Sequence, residues 1–335
     1  MKSYSQFLSE AKDAKEAADK ASSNTKGVLH ELLVGYHLGG GKHMERHKNA
    51  EGDSPKQAHD KLKASIHPDA YKRINNKAKS AAKDLHHHLL RSGHTINHVH
   101  WTSKNGDIER STGIKSTQKE DASDIMIKTH KAGVTKFHGV SLKVTDKASG
   151  SVPVSNPGMN ATHGGETIYV KHQADLKKKH PELAKLSNKA KRKEWMAKNP
   201  EHHASIKADN TEALHKIARH THKQLTNMDK KDLVKHIRNH ILHAHKTPLQ
   251  KLGHDHIKHT TLGDGSKEFK FHHADPSSDH EHILRDHKNV SCEHRGNSVV
   301  FTHKGKPFAR HDMKFDSQSD PLSTIKGVGR IMGSH

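Results

Sequence analysis

Residues 123–144 read SDIMIKTHKAGVTKFHGVSLKV, and this stretch decides the predicted fold. Two runs in it, 124–129 and 136–144, are rich in apolar and β-branched residues, and Gly133 lies between them. This pattern predicts two antiparallel strands joined by a glycine-containing turn. Side chains alternate between the two faces of a strand, so Ser141 and Lys143 are expected on one face. An adjacent hairpin strand can place Asp124 beside them.

The residues before this stretch predict helices and then a strand. Residues 28–36 carry an apolar stripe with a 3.6-residue period, which the glycines 39–41 end, and Glu31 lies beside this stripe. Residues 55–92 have the pattern of two helices, and residues 95–102 alternate as a strand does. We therefore expect an α+β protein whose core is a mixed β-sheet flanked by helices.

The second half of the chain differs in composition. Residues 171–260 contain 21 lysines and arginines against 9 acidic residues, a net charge of +12, and show helical patterns. Strand-like runs with turn residues between them return near the C-terminus. The sequence thus predicts these parts: a short amphipathic segment at 1–10, a flexible linker at 11–26, a core at 27–170, a basic helical insertion at 171–260, and C-terminal strands at 261–335 that complete the sheet.

Charge is the dominant feature of the composition. The 335 residues include 58 Lys and Arg against 37 Asp and Glu, a net charge of +21. Such a surplus favours a polyanionic partner, and DNA is the first candidate. No stretch approaches the length of a membrane span, and the first residues lack the apolar run of a secretory signal. We therefore expect a protein that is neither secreted nor bound to a membrane.

Four side chains form the candidate site: Glu31, Asp124, Ser141 and Lys143. Carboxylates bind hard divalent ions, so Asp124 and Glu31 are the candidate ligands of Mg²⁺ or Mn²⁺. A bound metal polarises a phosphate and lowers the pKa of a bound water molecule, and a lysine stabilises negative charge. The combination suits hydrolysis of a phosphodiester bond.

These residues, in this order, resemble the PD-(D/E)XK nuclease superfamily, with its helix Glu, strand Asp and (D/E)xK strand inside an α-β-β-β-α core. The resemblance covers about residues 27–170 and implies a restriction-endonuclease-like fold. It implies that Asp124 is a metal ligand, Lys143 the catalytic lysine and Glu31 an auxiliary ligand. Ser141 stands where the pattern has Asp or Glu, and the resemblance leaves it a lesser or water-mediated contact.

The first eleven residues, MKSYSQFLSEA, resemble the capsid-targeting peptide of internal head proteins in large contractile-tailed phages. This resemblance implies cleavage by a prohead protease between Glu10 and Ala11, with the capsid and that protease as partners. It also implies a location in the phage head interior or, alternatively, the host cytoplasm. The competing interpretation is an ordinary amphipathic N-terminal helix.

The 38 histidines create many ligand-like spacings, including His236/His240, His240/His243 and His254/His256/His259. At this density such pairs arise by chance, so we interpret them as solvated, weakly basic surfaces. The run at 86–88 is likewise interpreted as a helix face.

The sequence therefore favours a divalent-metal-dependent DNA endonuclease packaged in a phage head. The alternative is a non-catalytic, basic DNA-binding or internal structural virion protein. A third interpretation is a module that kept the nuclease fold and lost activity, with Ser141 as the trace of that loss.

Overall fold

A computed structural model of the chain describes residues 23–45, 52–117, 120–145, 151–263, 269–274, 279–317 and 319–332. The expected targeting peptide and its Glu10–Ala11 cleavage site lie outside these residues. The expected linker at 11–26 lies mostly outside them, but its last four residues, 23–26, belong to the first helix and are not linker.

The helices and strands occur in groups along the chain. The helices are α1 (Ser23–Leu38), α2 (Pro55–Ala64), α3 (Pro68–Arg91), α4 (Asp107–Thr112), α5 (Gly165–Lys179), α6 (Pro181–Ala184), α7 (Lys189–Lys198), α8 (Pro200–Thr226), α9 (Lys230–His236), α10 (Pro248–Lys251) and α11 (Glu281–Arg285). The strands are β1 (Thr95–Trp101), β2 (Ile125–Lys131), β3 (Val134–Thr145), β4 (Val152–Ser155), β5 (Asp255–Leu262), β6 (Lys270–Ala274), β7 (Val290–Arg295), β8 (Ser298–His303), β9 (Lys306–Phe315) and β10 (Ile325–Ile331). Short 3-10 segments lie at Met159–Thr162 and His287–Asn289, and a π-helical turn at Ile237–Ile241 continues α9.

The chain divides into two units. The first comprises residues 1–149 and 246–275, and the second comprises residues 150–245 and 276–335. The chain therefore leaves the first unit after β3 and returns to it before β5.

The first unit contains a five-stranded mixed sheet in the order β1-β2-β3-β5-β6. β2 is antiparallel to β1 and β3, β5 is parallel to β3, and β6 is antiparallel to β5. The β2–β3 hairpin turns at Ala132 and Gly133, both with positive φ, which suits the twist of the flanking strands. The expected hairpin is confirmed.

Helices α1 and α3 pack on this sheet through one continuous core. α3 begins at Pro68 and buries a stripe of alanines and leucines, while α1 buries Leu29, Leu32 and Leu33. On the sheet side the core contains Val140 and Leu142 of β3. The expected α+β class, with a mixed sheet flanked by helices, is confirmed.

The second unit contains an antiparallel sheet in the order β4-β10-β9-β8-β7. Consecutive strands β7 to β10 pair with one another, and β4 pairs with β10. The long helix α8 packs on α5 and on this sheet, burying Ile217, Ala218 and Leu225.

The boundaries of the predicted division differ in the structure: the chain leaves the first unit after residue 149, not 170, and returns to it at residue 246, not 261. The helical segment begins at Gly165, and β5, at the end of the expected insertion, is a central strand of the first sheet. Its sequence DHIKHTTL is polar, yet six of its eight residues are buried, so its composition gave no strand signal. The expectation that the C-terminal strands complete the first sheet is wrong for β7–β10, which form a separate sheet because they pair locally and with β4.

Among the described helices, none has the length and apolar character needed to cross a lipid bilayer.

Candidate active site

The backbone of Asp124 is fixed between two strands. Its N–H donates to the carbonyl oxygen of Val140 on β3 at 2.9 Å, and its own carbonyl accepts from the N–H of Thr102, which follows β1, at 3.2 Å. The Thr102 hydroxyl also donates to the carbonyl of Ser123 at 2.7 Å. Asp124 therefore has a fixed position at the point where β1 ends and β2 begins.

The carboxylate of Asp124 lies over β3. Its Oδ2 accepts a hydrogen bond from the backbone N–H of Leu142 at 2.6 Å and a longer one from the Ser141 hydroxyl at 3.4 Å. The Lys143 ammonium lies 3.6 Å from the same oxygen, and both side chains are partly exposed. Asp124, Ser141 and Lys143 are thus brought together, as alternation along β3 predicts.

Glu31 reaches this group from α1. Burial raises the pKa of its carboxyl group to about 8, and the negative charge of Asp124 acts in the same direction. The Lys143 charge and a hydrogen bond from Trp101, at the end of β1, oppose the rise in pKa. The ionisation of Glu31 is therefore linked to the charges of Asp124 and Lys143.

This arrangement fits a hard divalent cation. The negative charge of Asp124 disfavours the ionised form of the largely buried Glu31, and a cation bound beside both groups would relieve that repulsion. The donors are oxygen atoms of Glu31 and Asp124, with the Ser141 hydroxyl beside them, and such donors suit Mg²⁺ or Mn²⁺. A serine contributes no charge, so the site has one carboxylate fewer than the (D/E)xK pattern would give.

A buried polar cluster holds the loop before Asp124. Asp121 Oδ1 accepts a short hydrogen bond from the Ser123 hydroxyl and lies 3.2 Å from Nδ1 of His256 on β5. Ser123 Oγ lies 3.4 Å from the same Nδ1. A hydrolytic triad needs serine and aspartate on opposite ring nitrogens, so these residues do not form one. They position the loop instead.

The cluster depends on the absence of a side chain at Gly139. A Cβ atom there would lie 2.2 Å from Ser123 Oγ and 3.3 Å from Asp121 Oδ1. Gly139 lies on β3 opposite Met126. Gly139 therefore allows the loop to approach β3, and the loop in turn places Asp124 immediately before the first residue of β2.

Sequence reasoning missed three supporting residues. Trp101 forms a hydrogen bond with Glu31, and the Asp121–His256 contact joins segments far apart in the chain. Asp121 lies three residues before Asp124, and its sequence context does not distinguish it from an exposed loop residue. The contact with β5 could be found only from the topology.

Comparison with protein-family models, curated proteins and solved structures finds no match for this chain.

Proposed function

We propose that this protein is a divalent-metal-dependent DNA endonuclease. The observation that carries the proposal is the meeting of Asp124, Ser141 and Lys143 on neighbouring strands, with the ionisation of Glu31 linked to both charged groups. A cluster of one helix carboxyl group, one strand carboxylate and one strand lysine suits phosphodiester hydrolysis.

The order of elements supports the proposed restriction-endonuclease-like core. Helices α1 to α3 come first, then three strands paired as an antiparallel meander with one short helix between the first two. The helical insertion comes after β3 in the chain. β5 comes after the insertion and pairs in parallel with β3. Glu31 lies on a helix before β1, Asp124 immediately precedes β2, and Ser141 and Lys143 lie on β3, and this order supports the proposed resemblance to PD-(D/E)XK nucleases.

The geometry supports a proposed role for each of these residues. A bound Mg²⁺ or Mn²⁺ would polarise the scissile phosphate and acidify a bound water molecule. Asp124 and Glu31 would hold the ion, and the Leu142 N–H fixes the orientation of the Asp124 carboxylate. Lys143 places a positive charge beside the same carboxylate, where it would stabilise negative charge that develops on the phosphate.

A basic groove in the second unit supports DNA as the substrate. Helices α5 and α8 form its walls, and its volume is about 790 Å³. Three acidic residues also line the groove, and two of them pair with groove lysines. The cationic side chains that line it are Lys171, Lys179, Lys216, Arg219 and Lys223. Such a surface attracts phosphates without reading sequence.

Packaging in a phage head is a separate proposal. It is supported by the sequence at residues 1–11, which lie outside the described residues, and by the net charge of +21. Mass spectrometry of the protein from mature particles should show Ala11 as its N-terminal residue. Intact Met1 in mature particles would contradict the proposed cleavage.

The catalytic proposal is tested by incubating supercoiled plasmid with the protein in Mg²⁺, in Mn²⁺ and in EDTA. We expect nicked or linear products only with metal. Asp124→Asn, which keeps the shape of the side chain, and Glu31→Gln should each abolish them. Cleavage that persists in EDTA, or that survives Asp124→Asn, would contradict the proposed site.

The second candidate function is DNA binding without cleavage, and Ser141 is the observation that favours it. Loss of one carboxylate at this position weakens the attraction for a cation. Under this alternative the protein retards DNA in a gel at low salt, yet no product forms at any metal concentration. The same plasmid experiment therefore separates the two functions.

A further inference from the structure

Three side chains from distant parts of the first unit converge away from the candidate active site. Asp84 lies on α3, His259 on β5 and His273 on β6. Asp84 Oδ2 is 3.1 Å from Nε2 of His259 and 2.6 Å from Nε2 of His273. One donor atom from each residue lies within 4.8 Å of the other two.

Strand pairing explains why the two histidines meet. His259 and His273 are register partners in the antiparallel β5–β6 pair, so their side chains share one face of the sheet. His259 is also the register partner of Leu142 in β3, whose side chain packs in the helix-covered core. Ser141 and Lys143 alternate to the other face. The cluster is therefore distinct from the group around Asp124.

The surroundings hold the cluster in place. His259 is fully buried, and the side chains of Asp84 and His273 are each 22% exposed. The other ring nitrogen of His273, Nδ1, lies 3.1 Å from Nδ1 of His88, one helical turn after Asp84 on α3. A hydrogen bond on Nδ1 fixes the ring so that Nε2 points at Asp84, which is how histidine ligands are commonly oriented.

The donor set identifies the class of metal. Two imidazole nitrogens and one carboxylate oxygen suit Zn²⁺ and neighbouring divalent transition metals, whereas Mg²⁺ and Ca²⁺ prefer oxygen donors alone. Ligand atoms in a tetrahedral zinc site are about 3.3 Å apart, since each lies about 2.0–2.1 Å from the metal. To reach this spacing, the observed separations of 2.6 and 3.1 Å must widen by about 0.7 and 0.2 Å, and the two histidine nitrogens lie within 4.8 Å of each other.

We propose that Asp84, His259 and His273 bind a zinc ion that ties the β5–β6 hairpin to helix α3. Among the described strands, β6 is the last in its sheet and pairs with β5 alone. A bond from His273 to a metal shared with α3 would fix this edge. The three protein ligands leave a fourth position for water. Zinc binding here does not require nuclease activity at Asp124.

The experiment uses the full chain, stripped with a chelator and returned to metal-free buffer. Zinc is titrated in competition with a chromophoric chelator, because 38 histidines provide many weak sites that the chelator outcompetes. Cobalt(II) is titrated separately, and its visible absorption reports tetrahedral coordination. We expect one competing zinc site per chain and a tetrahedral cobalt spectrum.

The variants Asp84→Asn and His273→Gln should each weaken zinc binding on the order of 100-fold and remove the cobalt spectrum. His303→Gln is the matched control, since it removes a histidine that pairs with an aspartate, Asp286, at 2.8 Å in the second unit. It should leave both signals unchanged. Circular dichroism separates folding failure from ligand loss, and Asp84→Asn is the variant least expected to misfold.

Two results would overturn the zinc site. One is a wild-type chain that retains no zinc against the chelator. The other is zinc affinity that is the same in the wild type, Asp84→Asn and His273→Gln, which would show that Asp84 is only a hydrogen-bond acceptor for two histidines.

Discussion

The Asp124 carboxylate lies 3.6 Å from the Lys143 ammonium, and its Oδ2 also accepts a 2.6 Å hydrogen bond from the N–H of Leu142, between Lys143 and Ser141. One oxygen atom is thus held by the backbone of β3 and faces a lysine of the same strand. The geometry of β3 therefore fixes the position of the Lys143 charge relative to Asp124, the proposed metal ligand. Substitution of Lys143 should affect cleavage, and substitution of Ser141 should affect metal binding.

Replacing Lys143 separates cleavage from binding. Lys143→Ala should reduce plasmid cleavage on the order of 100-fold or more, because it removes the cation beside the reacting phosphate. DNA affinity in a gel-shift assay should change little, since many other lysines supply the nonspecific attraction. Lys314→Ala, at an exposed position of β9, is the control and should change neither. Equal losses of binding and cleavage would contradict the role given to Lys143.

Replacing Ser141 tests whether the missing carboxylate limits metal affinity. Ser141 is 4% exposed, so Ser141→Asp places a second charge next to Asp124 in a buried position. Without metal the variant should be less stable, because like charges repel and are poorly solvated there. With Mg²⁺ it should bind the ion about tenfold more tightly, since affinity rises with ligand charge.

The measurement is the difference in melting temperature between Mg²⁺ and EDTA. This difference should be wider in Ser141→Asp than in the wild type. Ser141→Asn, which has the same shape without the charge, should not widen it. If the aspartate and asparagine variants respond alike to Mg²⁺, Ser141 does not lie beside the proposed metal.

The close approach at Gly139 predicts a stability defect that a second substitution relieves. Gly139→Ala should cost about 1–3 kcal/mol, as overpacking of a buried site usually does, because its Cβ meets Ser123 Oγ at 2.2 Å. Adding Ser123→Ala removes that atom and should recover part of the loss in urea unfolding. Gly27→Ala on α1 has open space around the new methyl group and should not destabilise the protein.

The basic groove predicts a change in the salt dependence of DNA binding. Replacing Lys216, Arg219 and Lys223 of α8 with glutamine should lower the slope of log K against log salt by up to about 0.9 for each phosphate that these side chains neutralise. The control replaces Lys288, Lys306 and Lys314 with glutamine, which removes the same charge outside the groove. Identical slopes for the two triple variants would show that the groove has no special role.

A buried histidine cluster in the second unit predicts loss of stability in acid. Burial lowers the pKa of His236 to about 3 and that of His311 to about 4, and neighbouring His163 and His240 lower both further. Asp312 acts in the opposite direction on His311. In the unfolded chain such rings have pKa values near 6.5. The unfolded state therefore binds more protons between about pH 6.5 and 4, and stability falls as the pH falls through this range.

Each of these histidines contributes a slope of up to about 1.4 kcal/mol per pH unit at 25 °C. His311→Gln removes one of them and should flatten the pH dependence of the free energy of unfolding, whatever it does to stability at pH 7. His203→Gln, at an exposed position of α8, should leave the dependence as it is. The measurement is urea unfolding at several pH values between 4 and 7.

Local patterns predicted the parts of the fold and site that are local in the chain. The hairpin that carries Asp124, Ser141 and Lys143 follows from alternation and a glycine turn, and Glu31 follows from the apolar period of α1. β5 could not be predicted, because a central strand with Lys258, His256 and His259 buried in it has a polar sequence. Partners such as Asp121 stabilise these buried polar side chains. Those partners are distant in sequence and come close only in the folded chain.

The histidine spacings show the same limit. His254, His256 and His259 are close in sequence, yet they have different partners: His254 packs against Phe137, His256 pairs with Asp121, and His259 pairs with Asp84. His256 and His259 lie on opposite faces of β5, and His254 precedes the strand. His88, interpreted from sequence as part of a solvated helix face, contacts His273 because β6 returns beside α3.

The return of the chain to β5 after the second unit has a consequence for biosynthesis. β3 leaves the ribosome long before its parallel neighbour β5, because residues 150–245 are made between them. His256, which holds the loop before Asp124, arrives with β5. Pairings between distant segments form slowly and late, and domains generally fold as units during synthesis. A nascent chain that has completed the β2–β3 hairpin therefore still lacks the His256 contact that holds the loop before Asp124. The complete surroundings of the proposed site would form only after most of the polypeptide has been made.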